Sequence, residues 1–201
     1  MNLAFNGSSI DGSAYTDVVA LSHHSPSWWN TLVSAWSTYG LALFGVLMAL
    51  GWWRARRESA TAAVMALAAP VIVLVAFAVD AALKLVVRED RPCQSLRVAP
   101  LEACPAPGDW SFPSNHAAIA AAAAVALFLV SRSLGTVGAV AACAMAVSRV
   151  WVGAHYPHDA VAGVVVGCLV ALPLTALVRR RPEAVARRLT VTRLRPLLVA
   201  S

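Results

Sequence analysis

Charge is scarce in this 201-residue chain: Asp, Glu, Lys and Arg make up 13% of it, about half the share of an ordinary soluble domain. Lysine is almost missing, with Lys84 the single example, and no basic residue precedes Arg54. The first shortage, joined to 59% hydrophobic residues and a mean hydropathy of +0.68, excludes a disordered, collagen-like or disulfide-dense secreted chain. It leaves an all-α integral membrane helical bundle as the class that spends its residues this way. The second shortage argues against a cleaved signal peptide, which needs a positively charged segment ahead of its apolar run. The net charge is nonetheless +6. In a soluble domain such an excess would suggest a nucleic-acid partner. Here the cations sit in short islands between apolar runs and form no stripe, so no nucleic acid is expected.

A membrane span takes about 20 mostly apolar residues, and about five runs meet that length. The first lies within Ser25 to Trp53, the second covers Thr61 to Val87, and the third Ser114 to Val130. The fourth runs from Gly135 to Val152 and the fifth from Pro157 to Val178. The pairs Trp28/Trp29 and Trp52/Trp53 bracket the first span 24 residues apart; on a straight helix that is about 36 Å, the spacing of two interfacial aromatic belts. No internal repeat or second domain is visible. Residues 1–27 read as an amino-terminal interfacial segment, either a short surface helix or a disordered stretch. Residues 28–178 read as the transmembrane domain and 179–201 as a basic tail.

The arginines set the orientation, because cytoplasmic loops collect Lys and Arg. Alternate loops place Arg54, Arg56, Arg57, Arg132, Arg179, Arg180, Arg181, Arg187, Arg188, Arg193 and Arg195 on one side, and only Lys84, Arg88, Arg91, Arg97 and Arg149 on the other. The expected arrangement is therefore a multi-pass protein of the plasma membrane with its amino terminus and the long 88–113 loop outside and its carboxy terminus in the cytoplasm. Cys143 and Cys168 fall inside spans and read as small packing residues. Cys93 and Cys104 share the outer loop; a disulfide would pin it, and two free thiols are the alternative.

Ionisable groups at a bilayer are costly and invite a functional reading. Three clusters fall at the outer ends of the spans. On one helix face lie Asp80, Lys84, Arg88 and Arg91, which a snorkelling helix end would also explain. Phe112-Pro113-Ser114-Asn115-His116 opens an alanine-rich helix whose cap at Ser114 leaves backbone N–H groups free for an anion. The third cluster runs from Ser148 to Asp159. Pro157 suits the first helical position, which sets Asp159 one turn in, within reach of His155, while His158 reads as a bystander. An acid holding one imidazole nitrogen frees the other as nucleophile or base. Cations, two histidines, an aspartate and a helix amino terminus form the inventory of phosphoryl transfer. Metal ligation competes for the same His and Asp residues, yet Lys84, Arg91 and Arg149 would repel a divalent cation, so no metal and no cofactor is expected.

Lys84-x6-Arg91-Pro92, Pro113-Ser114-Asn115-His116 and Ser148-Arg149-x5-His155-x3-Asp159 together resemble the three-part signature of the type 2 phosphatidic acid phosphatase (PAP2) superfamily, which includes the vanadium haloperoxidases. The resemblance covers Asp80 to Val178. Asn115 departs from the family's usual Gly and, with the run from Ser148 to Pro157, is similar to bacterial undecaprenyl-diphosphate phosphatases. The resemblance implies a metal-independent phosphatase acting on a membrane lipid phosphate at the outer leaflet, as in recycling a cell-wall carrier. His155 would be the nucleophile that becomes phosphohistidine, Asp159 its orienting acid, and His116 the proton donor. Lys84, Arg91, Ser114, Asn115 and Arg149 would hold the phosphate. Asp80 is added on spacing alone, as an acid that could keep Lys84 oriented or merely neutralise it. Phosphatidate, phosphatidylglycerophosphate and prenyl-phosphosugar substrates, or a phosphotransferase using the same site, remain alternatives. Gly163-x3-Gly167 permits close helix packing, more simply internal than dimeric.

Overall fold

A computed structural model describes residues 5–96 and 98–199. Arg97, one of the five cations expected outside, lies beyond the described residues. The chain forms α1 (Ser8–His24), α2 (Ser27–Tyr39), α3 (Leu41–Glu58), α4 (Ala60–Val87), α5 (Pro92–Ser95), α6 (Asn115–Leu127), α7 (Arg132–Trp151), α8 (Pro157–Val178), α9 (Pro182–Thr190) and α10 (Arg195–Leu198).

α6 is the axis of the bundle. It is largely alanine, and nine of its residues are buried, because side chains this small let α4, α7 and α8 close around it. Phe44 and Leu47 of α3 pack on Ala120, Ala124 and Leu127 on one side, while Ala69, Ile72 and Ala76 of α4 and Ala171 of α8 meet Ala122 and Ala126 on the other. Gly163 and Gly167 back directly onto α6: a Cβ on either would stand 2.4 Å from the carbonyl oxygen of Ser114 or Ala118 respectively. The small-residue spacing in α8 thus serves packing within the chain. Large apolar side chains on the opposite faces, among them Val71, Leu74, Leu169 and Leu172, are exposed. In water such a surface would aggregate, and in lipid it is solvated.

The expectation of five comparable spans is altered in two places. α4, α7 and α8 are long and apolar enough to cross a membrane, and α2 with α3, bent by 54°, meets that test only as a pair, as a broken span or a re-entrant loop. The bend falls at Gly40, where a Cβ would lie 2.5 Å from the Trp36 carbonyl oxygen and 2.8 Å from Met145 Cε. The two tryptophan pairs therefore sit on differently directed helices, and their straight-line spacing does not hold. α6 has 13 residues, a rise of about 20 Å against a hydrocarbon core of about 30 Å. Enclosed by its neighbours, it need not match lipid thickness.

α4 starts at the same end of the bundle where α6 and α8 finish and α7 starts. Ser59 caps α4 by accepting from Ala62 N at 3.0 Å, and Arg88 ends it in the left-handed conformation at φ 51°. The tail at this end is folded back: Ala186 and Leu198 pack on Ala63 and Val64 of α4, and Trp52 Nε1 donates to the Leu197 carbonyl oxygen at 2.8 Å. At the other end the first residues are helical, as α1, with Tyr15 and Val19 buried against Tyr156. Cys93 and Cys104 are joined as a disulfide, their Cα atoms 5.9 Å apart, which closes a small loop beside Arg91. Cys143 and Cys168 are free.

Candidate active site

The ends of α4, α6, α7 and α8 that carry the polar motifs meet at one end of the bundle. His155 is placed by the turn between α7 and α8, where its backbone N donates to the Arg149 carbonyl oxygen at 3.2 Å. Gly153 makes that turn possible: its φ is +79° and a Cβ there would meet Pro100 at 2.6 Å, which only glycine avoids at no cost. The His155 ring is 2% exposed. Its Nδ1 lies 3.4 Å from Asp159 Oδ2 and 3.3 Å from Ser111 Oγ, and its Nε2 lies 3.3 Å from Arg91 Nη1. An acceptor faces Nδ1 and a donor faces Nε2, so the proton belongs on Nδ1 and the Nε2 lone pair points outward. Burial, followed by the charges of Arg91 and Lys84, overrides the pull of Asp159 and lowers the His155 pKa to about 3. Burial thus favours the neutral ring, whose Nε2 lone pair is chemically able to act as a nucleophile or base.

Asp159, one turn into α8, is fully buried. Its Oδ2 accepts from Ser111 Oγ at 2.5 Å and from Tyr156 N at 2.9 Å as well as facing His155. The same carboxylate caps the start of α8, so orienting the histidine and starting the helix are one interaction.

The cations approach from other elements. Lys84 Nζ donates to the carbonyl oxygens of Trp110 at 2.9 Å and Ser111 at 3.3 Å. Asp80 forms no ion pair or hydrogen bond with it: both Asp80 carboxylate oxygens are buried without a partner among the described residues. The expected orienting contact is thus made by loop carbonyls, because a residue four places earlier on α4 lies deeper in the bundle than the lysine's outward-reaching amine. Arg91 is held by the Asp109 carbonyl oxygen at 3.0 Å, Asp109 Oδ1 at 3.0 Å and the Ala154 carbonyl oxygen at 2.9 Å. Arg149 Nη1 donates to Ser37 Oγ and lies 3.3 Å from Glu102 Oε2.

Ser114 occupies the cap position of α6, but its side chain makes no capping bond; its backbone N donates to the Asp159 carbonyl oxygen at 3.1 Å. Ser114 Oγ, Asn115 Oδ1 and Arg149 Nε are buried with no hydrogen-bond partner among the described residues. Buried polar atoms are rarely left so; of the three, Ser114 Oγ and Arg149 Nε can donate to an anion, whereas Asn115 Oδ1 can only accept. His116 is half-buried in the first turn of α6, within electrostatic reach of Arg149, Lys84 and Arg91.

Sequence reasoning missed Ser111, Asp109 and Glu102, which lie in irregular segments, and Ser37, which lies in α2 far along the chain; nothing local announces any of them. It also read His158 as a bystander, and the ring is closely held. His158 Nδ1 and backbone N both lie 2.7 Å from Asp11 oxygens, and its Nε2 lies 3.0 Å from Glu89 Oε1 and 3.4 Å from Asp159 Oδ1. Glu89, His158 and Asp159 bring possible metal-ligand atoms within 4.8 Å of one another. The same short distances are satisfied by a protonated imidazole among acids, and the His155 side of Asp159 is cationic.

Comparison with known proteins gives three results. A family model described as the PAP2 superfamily matches residues 63–183. Over 180 residues, 85% of this chain and 90% of the relative, the sequence is 27% identical to undecaprenyl-diphosphatase BcrC of Bacillus subtilis. Over 64 residues it is 41% identical to the bacitracin transport permease protein BcrC of Bacillus licheniformis, covering 32% of each chain, and 42% identical to the undecaprenyl-diphosphatase of Sulfolobus acidocaldarius, covering 31% of each. The chain thus spans about a third of the length of these last two relatives. A solved transmembrane PAP2-type phosphatidylglycerolphosphate phosphatase from Bacillus subtilis superposes with a TM-score of 0.65 at 20% identity, over 84% of this chain and 86% of that one, a likeness of fold.

Proposed function

The chain belongs to the PAP2 superfamily, and from that membership and the geometry of the site we propose that it is a metal-independent lipid phosphatase acting on a polyprenyl diphosphate. The observation that carries the reading is the environment of His155: Asp159 behind Nδ1, and the Arg91 guanidinium in front of Nε2.

In the proposed reaction the Nε2 lone pair attacks the terminal phosphorus and a P–N bond forms as the P–O bond to the lipid monophosphate breaks. His116 gives its proton to the departing oxygen. Positive charge that develops on His155 is balanced by Asp159, while Lys84, Arg91, Arg149 and the first N–H groups of α6 take up the charge on the phosphoryl oxygens. Water then attacks the phosphohistidine, passing a proton to His116, and inorganic phosphate leaves. A buried neutral imidazole suits the first step, since a protonated one would have no lone pair to offer.

Two further features support a long apolar tail on the substrate. A groove of about 520 Å³ runs between α2 and α7, walled by Trp29, Trp36, Ala144 and Trp151. It joins a second of about 430 Å³ lower on α7 through Trp36 and Ala144. Its lining includes Ser148, the residue before Arg149 in the chain, so a head group at the site and a tail in the groove are compatible. The arginine distribution argues for the site end facing outward, with the carboxy terminus in the cytoplasm.

The test is a substrate panel on purified protein in EDTA: undecaprenyl diphosphate, phosphatidylglycerophosphate and phosphatidate. Turnover of the polyprenyl diphosphate without added metal, abolished in a folded His155→Ala variant, is the expected result. A requirement for metal, or turnover retained in His155→Ala, would overturn the mechanism; phosphorylated acceptor in place of free phosphate would make the protein a transferase.

A further inference from the structure

We propose that His158 is a positioning residue, an imidazolium clamped between Asp11 and Glu89 that fixes the back of the catalytic aspartate and makes α1 a working part of the active site. The proposal rests on the reading of His155 and Asp159 given above.

The clamp is built from three separate parts of the chain. Asp11 stands where α1 breaks, with φ −145° and ψ 29°. Its two oxygens take the His158 backbone N and Nδ1, both at 2.7 Å. The backbone contact satisfies one of the first N–H groups of α8, which no residue of α8 itself can reach. Glu89, only 1% exposed, comes from the segment after α4 and lies 3.0 and 3.2 Å from Nε2 with its two oxygens. Asp159 completes the ring of acids from α8 itself, at 3.4 Å. The rings of Tyr156 and Phe112 stack on the imidazole with centroids 5.4 and 5.9 Å away.

An ionised carboxylate only accepts hydrogen bonds. Each His158 nitrogen faces one, so both carry protons and the ring is a cation. That cation is what lets three acids share so small a space. Asp159 Oδ1 has no hydrogen bond among the described residues, and His158 Nε2 lies 3.4 Å from it. Without the cation, Asp159 would face Glu89 and Asp11 unshielded, and like charges in a buried site raise proton affinity. A protonated Asp159 could not hold the Nδ1 proton of His155 or balance the charge that forms there.

Glu89 ties the two sides together. Its carbonyl oxygen accepts from Ser111 N at 2.7 Å, and Ser111 Oγ is the closest donor to Asp159. The amino-terminal segment presses on it directly: Phe5 N donates to the Arg88 carbonyl oxygen at 3.1 Å, Asp90 N donates to that of Phe5 at 2.9 Å, and a Cβ on Gly7 would stand 1.7 Å from Glu89 Oε1. The chain can pass there only as glycine unless Glu89 yields.

The experiment compares wild type with His158→Gln, His158→Lys, Asp11→Asn and Gly7→Ala, each checked for folding in detergent by thermal unfolding. His158→Gln is expected to lower kcat at least tenfold with KM changed less than threefold, and to move the acid limb of the kcat profile to higher pH. His158→Lys, which restores a cation, should recover part of that kcat. Asp11→Asn combined with His158→Gln should cost less than the sum of the two, since both break one clamp. An acid limb that stays where it is, a kcat per folded molecule equal to wild type, or a wild-type kcat lowered by chelator and restored by a divalent metal would overturn the proposal. A second readout needs no turnover. At pH 7 the 15N shifts of His158 should report two protonated nitrogens, and His158→Gln should speed amide exchange in residues 8–24; a neutral ring or unchanged exchange refutes the clamp. If the clamp stands by these measures while wild type releases no phosphate, the reading of the reaction fails alone.

Discussion

Glu102 is the acid that a phosphate-binding site should be better without. Its carboxylate lies 3.3 Å from Arg149 Nη1, on a guanidinium whose Nε is buried and unpartnered. A phosphoryl group accepted by the free edge of that guanidinium would come to about 5 Å from the carboxylate, where two unit charges repel by about 0.8 kcal/mol in a water-like medium and about 3.3 kcal/mol at an effective dielectric of about 20. The Glu102 side chain is 27% exposed, which argues for the lower part of that interval, about 1 to 2 kcal/mol, or roughly a 5- to 30-fold change in an equilibrium. Arg149 Nη1 also donates to Ser37 Oγ, a contact that Glu102→Gln does not itself remove. Glu102→Gln is therefore expected to lower KM by that factor with little change in kcat, and to strengthen inhibition by inorganic phosphate to a similar extent. The assay is initial-rate phosphate release from polyprenyl diphosphate in detergent. A raised KM, or a kcat reduced tenfold, would show that Glu102 aims the arginine rather than competing for it, and would refute the reasoning.

Three other outcomes follow from the geometry. Gly163→Ala drives a methyl group against the Ser114 carbonyl oxygen and Ala117, an overpacking cost of about 1–3 kcal/mol at the start of α6; it should lower the unfolding temperature and activity together, whereas Gly45→Ala, whose Cβ meets nothing within 4 Å, should change neither. The His155 pKa of about 3 lies below its ordinary value, so the unfolded chain binds this proton more readily and stability falls as pH drops below about 6.5, continuing toward the folded value; 15N shifts should show the ring neutral from pH 8 to 5, and half-protonation near pH 6.5 would contradict its burial. Ala144→Trp fills the groove between α2 and α7 and should raise KM for a long-chain diphosphate but not for a short water-soluble one; equal effects on both would remove the groove from tail binding.

Much of this site was legible from local chemistry. Asp159 and His155 are one helical turn apart across Pro157, and the cap of α8 places both by short-range rules. Ser114 stands at the start of α6 as read, although its side chain makes no capping bond. Asp80 shows where spacing misleads: it is four residues from Lys84 on one helix, yet the lysine's amine reaches outward to Trp110 and Ser111 while the carboxylate stays inside. The bend at Gly40 and the shortness of α6 were hidden because an apolar run announces burial or lipid contact without saying which.

By itself the sequence determined the solvent and the order of the parts: too few charges for water, apolar runs of spanning length, and three polar motifs at their ends. Those are local or additive properties, and composition and spacing carry them. What only the tertiary structure decided is which distant groups complete the site. Ser111 reaches Asp159 across 48 residues and Asp11 reaches His158 across 147, the first from an irregular loop and the second from the break in α1. Contacts of that kind exist only after α4, α6, α7 and α8 have closed around one end of the bundle, because it is their packing that brings Glu89, Glu102 and Asp11 up to the charges they balance.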